Sequence, residues 1–310
     1  MKLIKPSFEI LESKGSLKDI ELAARTCYQS QGKITEDDSS AITLVDNLLK
    51  RNHMAMMEFG ENIVLHIDEN LYLSLLDCSH LPFYKHFNFT NFSSSRVILS
   101  VNPRSALEFM DFVETNNNLY YYDLNIHKLT TSFINYLPVR IVNRYISVFT
   151  DTTEVPYNIP TLDFEIEKLV HKTVTVKFVV DRAIANELVR HRHCSFAQKS
   201  TRYCDEKGDI EFIEPCWDYE KPDIFTKDSP NFEHSLRDSE YIYKHLRHDG
   251  WKPEQARNVL PNALATEIII NANLQEWKHI FELRCDKASH PQMREIMIPL
   301  QEEFKQLKLI

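Results

Sequence analysis

The chain has 310 residues, 43% hydrophobic and 26% charged, a balance that fits a soluble globular protein with a large core. Its formal net charge of −9 weighs against nucleic acid as the principal partner, which needs an extended basic face. Only 5 glycines occur, and none falls in a Gly-x-Gly-x-x-Gly or Gly-x-x-x-x-Gly-Lys pattern, so any nucleotide must be held mainly by side chains.

In chain order, residues 2–12 alternate loosely and predict an edge strand. Ser16 or Asp19 is then placed to cap a helix running to Tyr28, with Ile20, Ala23, Ala24 and Cys27 on its buried face. Asp37 or Asp38 opens a second helix carrying Ile42, Val45, Leu48 and Leu49, which ends near Arg51-Asn52-His53. Residues 61–68 predict a strand. Helices are expected around 71–77, 103–115 and 126–147, with a polar break at 115–118. The run Tyr120-Tyr121-Tyr122 suits buried packing or an interface better than base stacking. The alternation of Val174, Val176, Phe178 and Val180 predicts a strand with one buried face, and Asp181 is placed to cap the helix that follows. A further strand is expected at 210–213 and a helix from Pro253 to Leu260, stopped by Pro261. Residues 264–272 read equally as strand or helix. Helices over 274–284 and 291–308 complete the chain.

The amino terminus, Met-Lys-Leu-Ile-Lys-Pro-Ser, lacks an apolar signal stretch, and no run approaches a membrane span, so a cytoplasmic protein is expected. Cys27, Cys78, Cys194, Cys204, Cys216 and Cys285 include no Cys-x-x-Cys pair and are expected as reduced thiols.

The chemistry concentrates in residues 190–202, Arg-His-Arg-His-Cys-Ser-Phe-Ala-Gln-Lys-Ser-Thr-Arg. Arg190, Arg192 and Arg202 suit a clamp for phosphate or carboxylate, because guanidinium offers a planar fork to oxyanions and Ser200 adds a neutral donor. The plainer alternative is a helix-end charge cluster satisfied by acidic residues elsewhere. His191, His193 and Cys194 do not converge as metal ligands at a helix end, so no metal is expected. No Gly-x-Ser-x-Gly elbow surrounds Ser200, which therefore reads as a ligand hydroxyl rather than a nucleophile.

Arg-His-Arg followed by seven residues and Ser closely resembles the motif of the flavin-dependent thymidylate synthases. The likeness extends over Glu187-Leu188-Val189-Arg190-His191-Arg192, then Ser195, Gln198, Ser200, Thr201, Arg202 and Tyr203. Ala24-Arg25-Thr26-Cys27-Tyr28, the pair His53 and Glu58, Ala256-Arg257-Asn258-Val259-Leu260-Pro261, Asn273, Phe281-Glu282-Leu283-Arg284 and His290-Pro291-Gln292 follow in the family's order. The resemblance implies an α/β (α+β) fold, here one domain over 1–310 with a long helical insertion at about 70–172. It also implies a homotetramer with active sites shared among subunits, with no nucleic acid and no membrane as partners. Family members methylate deoxyuridylate (dUMP) to thymidylate (dTMP), taking one carbon from methylenetetrahydrofolate and hydride from FAD reduced by NADPH.

By matching position, the resemblance implies catalytic roles for Arg284, Arg190 and His53. Glu187, Arg190, Gln198, Ser200, Arg202, Arg257 and Arg284 are implied on the dUMP side, Arg284 facing the uracil ring. Cys27, His53, Arg190, His191, Arg192, Asn273, His279 and His290 are implied on the FAD side. Each has a plainer reading: His53 could simply end a helix, Arg257 could pair with Glu254, and a solvated helical position explains His279 equally well. Cys27 stands where some relatives have serine. No cysteine is expected as a nucleophile, since positioning and cationic polarisation must activate carbon five of uracil. The insertion, ~100 residues and so the size of a small domain, has only a loose counterpart in relatives. Two rival functions remain: a homologue of the same fold that has lost methyl transfer, and an RNA-modifying flavoprotein, which the acidic balance disfavours.

Overall fold

Residues 2–12 form two strands rather than one, because Pro6 has no N–H to continue a ladder. β1 (Lys2–Ile4) pairs in parallel with residues 211–213, and β2 (Ser7–Leu11) forms an edge of the main sheet. In this computed structural model the described residues are 1–93, 96–116, 124–146, 149, 156–206, 208–218 and 231–310.

Helix α1 (Ser16–Cys27) buries Ile20, Ala23 and Ala24 as expected. Neither expected side chain caps it, and Gly15 holds the cap position. The Ser16 hydroxyl instead accepts the Glu61 N–H at 2.9 Å, and the Asp19 carboxylate accepts the Lys14 N–H at 3.0 Å. Helix α2 (Ser39–Lys50) follows Asp38. Asn52, at φ 56°, takes the left-handed conformation that asparagine tolerates, and the His53 N–H reaches back to the Leu48 carbonyl at 2.9 Å. A 3₁₀ turn over Met54–Phe59 then leads through Gly60 into β3 (Ile63–Ile67).

Residues 70–172 contain helices, together with two strands that no periodicity singled out. After α3 (Glu69–Asp77) come β4 (Phe87–Ser93) and β5 (Arg96–Val101), which form with β3 an antiparallel sheet of order β3-β5-β4. Then follow α4 (Pro103–Thr115), α5 (Leu124–Tyr136), α6 (Val139–Ile146) and α7 (Glu165–His171). The single helix expected at 126–147 is two, parted at Leu137-Pro138 by an imino acid that cannot donate to the preceding turn. The tyrosine run and residues 117–118 of the polar break lie outside the described residues. This region shares one hydrophobic core with the amino-terminal helices, in which Ile20, Val45 and Met57 pack in the same cluster as Leu99, Phe109 and Phe133.

The main sheet is antiparallel, in the order β2-β6-β9-β7. β6 (Thr173–Asp181) buries Val174, Val176, Phe178 and Val180, the four residues its alternation marks. The Asp181 carboxylate accepts the Ile184 N–H at 2.8 Å and starts α8 (Arg182–Leu188). Next come β7 (Ser195–Gln198), β8 (Glu211–Ile213) and α9 (Phe232–His248). The short α10 (Pro253–Ala256) is followed by a 3₁₀ turn to Val259. The undecided stretch is β9 (Ala265–Asn273), where Ile269 enters the amino-terminal core while Ile268 and Ile270 enter a second core under α11 (Leu274–Arg284) and α12 (Pro291–Gln306). A strand covered on both faces has no polar side, so its sequence carries no alternation.

Two contacts tie the small sheet to α7, which leads into β6, and a third brings α1 and α4 together. His171 sits between the Thr90 hydroxyl, 2.7 Å from Nε2, and the Ser100 hydroxyl, 2.9 Å from Nδ1. Arg96 forks onto the buried Glu167 carboxylate at 2.7 and 2.9 Å. Gly60 lets α1 and the start of α4 meet closely: a Cβ there would lie 2.7 Å from Cγ of Pro103 and 3.2 Å from Cδ1 of Ile20. Gly60→Ala is therefore expected to destabilise the fold by about 1–3 kcal/mol, the range for overpacking a tight core. Urea unfolding measures it, and an unchanged midpoint contradicts it.

Candidate active site

Helix α8 has only seven residues, and two clusters of charge lie at its two ends. At its beginning, Arg182 follows the capping Asp181. Among the described residues the Nη1 of Arg182 is buried without a hydrogen-bond partner, and burial, then the nearby Arg257, pushes this guanidinium below the ordinary arginine range, against the pull of Glu206. Arg257 donates from Nη1 to the Thr201 hydroxyl at 3.3 Å. The adjacent Ser200 accepts the Arg202 N–H on its hydroxyl at 3.3 Å and donates its own N–H to the Cys27 carbonyl at 3.0 Å. Arg202, not Arg257, meets Glu254, with Nε 3.2 Å from the carboxylate, and it lies over the Tyr203 ring. Gln198 donates to the Thr266 hydroxyl at 3.4 Å from the neighbouring strand.

Arg182 thus has a second cation, Arg257, and one carboxylate, Glu206, near it, and its buried unsatisfied donor marks a place for an acceptor. Arg182 was not singled out from the sequence. The signal was available, since a cation in the first turn of a helix opposes the helix dipole and has to be explained by something else.

Past the other end of α8, Arg284 is held in a lock. Its Nε donates to Nε2 of His191 at 2.9 Å, while Nη1 and Nη2 donate to the Glu187 carboxylate and carbonyl at 2.9 and 3.0 Å. Because Nε2 accepts, the His191 proton sits on Nδ1, facing the Glu276 carboxylate 3.7 Å away. His191 is therefore neutral: burial, then Arg284 and His279, lowers it to about 4. The guanidinium charge of Arg284 is thus opposed only by Glu187. Arg190 projects exposed beside this lock, with no ion-pair partner among the described residues.

A cavity of about 620 Å³ opens next to the lock, within the range of small-molecule pockets. Arg192, His193, Asn273 and His279 line it, with Glu58 and Asn271 at its base. Asn273 caps α11, its Oδ1 accepting the Glu276 N–H at 2.8 Å and its Nδ2 donating to the Val170 carbonyl at 3.1 Å, so the helix amino terminus faces the cavity. Glu58 is fixed by Arg104 at 2.5 Å and by the Ser195 hydroxyl at 2.7 Å.

Of the residues marked in the sequence, Arg192, Asn273 and His279 come together in the cavity. Glu187, His191 and Arg284 meet behind it. Ser200, Arg202 and Arg257 meet at the far end of α8, with Cys27 reaching them through its carbonyl. His53 stands exposed on the 53–59 turn, and His290 packs edge-on to Trp217 with ring centres 5.7 Å apart; neither lines the cavity within one chain. All six thiols are pushed up in pKa, chiefly by burial, Cys27 to about 11, so none is poised as a thiolate. Among the described residues no cluster of three or more His, Cys, Asp or Glu side chains could hold a metal ion, and no helix is long and apolar enough to cross a membrane.

The fold is α/β, and side chains at the two ends of α8 and around the cavity make its candidate site. Residues 167–307 match the family model described as "Thymidylate synthase complementing protein". Over that segment, a little under half of the chain, the sequence is similar to this family. It is 34% identical over 122 residues to the "Flavin-dependent thymidylate synthase" of Geobacter sulfurreducens, a match covering 39% of this chain and 51% of the relative. The proteins of the same name from Pyrococcus furiosus and Corynebacterium efficiens are 31% and 30% identical over 140 and 142 residues. Those matches cover 44% and 41% of this chain and 56% and 55% of the relatives. The chain thus spans about half the length of the curated relatives it matches.

Proposed function

We propose that the chain is a flavin-dependent thymidylate synthase, methylating deoxyuridylate with the one-carbon unit of methylenetetrahydrofolate. The observation that supports this most is the Arg182–Arg257 pair beside Ser200, Thr201 and Arg202, an incomplete charge balance that a nucleotide phosphate completes. FAD, held by the cavity residues Arg192, Asn273 and His279, would when bound and reduced by NADPH supply the hydride for conversion of the transferred methylene to methyl, with loss of the carbon-five proton.

The cavity suits such a cofactor. It combines amide side chains with Arg192 and a helix amino terminus, and the buried Oδ1 of Asn271 has no partner. Amides match the alternating donors and acceptors of a flavin edge, and the cationic features match a pyrophosphate. In this reading Ser200, Arg202 and Arg257, joined by Arg182, hold the phosphate, and Gln198 and Glu187 orient the nucleotide. Arg284, fixed by Glu187 and His191, polarises the uracil carbonyl oxygens. Arg190 lies between nucleotide and flavin, while His191, Arg192, Asn273 and His279 form the flavin side. The catalytic role of His53 and the flavin contacts of His53, His290 and Cys27 require neighbouring chains, in keeping with a cytoplasmic homotetramer whose sites are shared.

The purified chain is expected to carry or take up FAD, and its reduced flavin should be oxidised with formation of thymidylate only when deoxyuridylate and methylenetetrahydrofolate are both present. A protein that cannot be reconstituted with flavin refutes this reading. Flavin oxidation without thymidylate would point to a homologue that has lost methyl transfer.

A further inference from the structure

One wall of the cavity comes from the region that makes this chain longer than compact relatives: Lys85, His86, Asn88 and Asn102 line it opposite Arg192 and Asn271. This wall is built firmly. Phe83 is buried with ring centres 5.5, 5.3 and 5.5 Å from those of Phe87, Phe109 and Phe112, which anchors the 82–86 turn on α4. Asn88 lies on β4 opposite Ser100 of β5, and Asn102 caps α4 by accepting the Ser105 N–H at 2.9 Å.

Among the described residues the cavity has buried polar atoms without a hydrogen-bond partner. The Nε2 of His86 is buried without a hydrogen-bond partner, 3.6 Å from a Glu58 carboxylate already engaged by Arg104 and Ser195. At the base of the cavity, the Oδ1 of Asn271 is likewise buried without a hydrogen-bond partner among the described residues, while its Nδ2 donates to the Glu58 carbonyl at 3.3 Å. Burial keeps the His86 ring below the ordinary histidine pKa, against the pull of Glu58 and with the push of Lys85 and Arg104, so it serves as a neutral hydrogen-bonding group. Lys85 is exposed on the rim and has no ion-pair partner among the described residues. Unsatisfied buried polar atoms around one cavity mark a space that a polar ligand fills.

We infer that Lys85, His86 and Asn88 contact the bound flavin nucleotide, so that the extra region of this chain is a cofactor-binding element supplied by the chain itself. The inference rests on the function proposed above and adds to it. A helix-and-sheet segment that shares the amino-terminal core and ends on the cavity is part of the site, not an appended module.

Flavin fluorescence titration of the full chain with FAD tests it. Lys85→Ala combined with Asn88→Ala is expected to weaken FAD binding at least tenfold, while Lys168→Ala, an exposed lysine of the same region away from the cavity, leaves it unchanged. Hydrogen exchange of the wild-type chain should show residues 82–90 protected on adding FAD, a result that does not depend on how a variant folds. Unchanged affinity in the double variant, or no protection of 82–90 by FAD that binds, overturns the inference and leaves the proposed function standing. A wild-type chain that binds no FAD removes both.

Discussion

Arg284→Ala is expected to lower the rate of thymidylate formation by about 10²–10³-fold, the range found when one preorganised donor to a developing negative charge is removed. The guanidinium is fixed before substrate arrives: three of its N–H groups are committed to His191 and to the carboxylate and carbonyl of Glu187. On the function proposed above, the remaining N–H groups would meet the negative charge growing on the uracil oxygens from a side chain already held in place, without reorganisation. Arg284→Lys should recover little, because an ammonium cannot span His191 and Glu187 together. FAD affinity should change far less than turnover, since Arg284 does not line the cofactor cavity. Single-turnover oxidation of the reduced flavin in the presence of deoxyuridylate and methylenetetrahydrofolate measures the effect. A variant with undiminished turnover removes Arg284 from the chemistry.

The second large effect is loss of stability in acid. His171 is 2% exposed and His191 is 6% exposed, and burial lowers both to about 4. The groups facing them are Glu167 for His171, and Arg284, His279 and Glu276 for His191. An unfolded histidine takes up its proton near pH 6.5, so between about 6.5 and 4 the unfolded chain binds more protons than the folded one. Stability from these two residues is therefore complete above about pH 6.5 and is lost as the pH falls towards 4. The bound is about 3 kcal/mol for His171, and less for His191, whose surroundings are wetter. Urea unfolding at pH 7 and pH 4.5 should differ by several kcal/mol, and His171→Asn should flatten part of that difference. Equal stability at the two pH values contradicts the neutral assignment. Protonation of His171 acts on the Thr90 and Ser100 contacts, so the small sheet carrying β4 and β5 is expected to loosen first.

How much of the protein its sequence determines varies along the chain. Where one face of an element is wet and the other dry, the pattern is unambiguous. β6 buries the four residues its alternation marks, Asp181 caps α8, and α11 spans the residues its apolar spacing assigns to it. The cluster at 190–202 stands out as cationic in an acidic chain, but the structure divides it: Arg202 meets Glu254 at one end of α8, while Arg190 and Arg192 lie past the other, so the three do not form one clamp within the chain.

Tertiary structure alone decided the rest. β9 could be strand or helix until two cores were seen to enclose it, because burial on both faces erases periodicity. β4 and β5 went unread because their pairing partners, each other and β3, are specified by contacts across the sheet rather than by local spacing. Only the folded chain brings Arg182 beside Arg257 and turns Lys85 and His86 towards Arg192, residues about a hundred positions away. Electrostatic strain and unsatisfied hydrogen bonds depend on distance in space, and a linear sequence does not contain that distance until packing sets it.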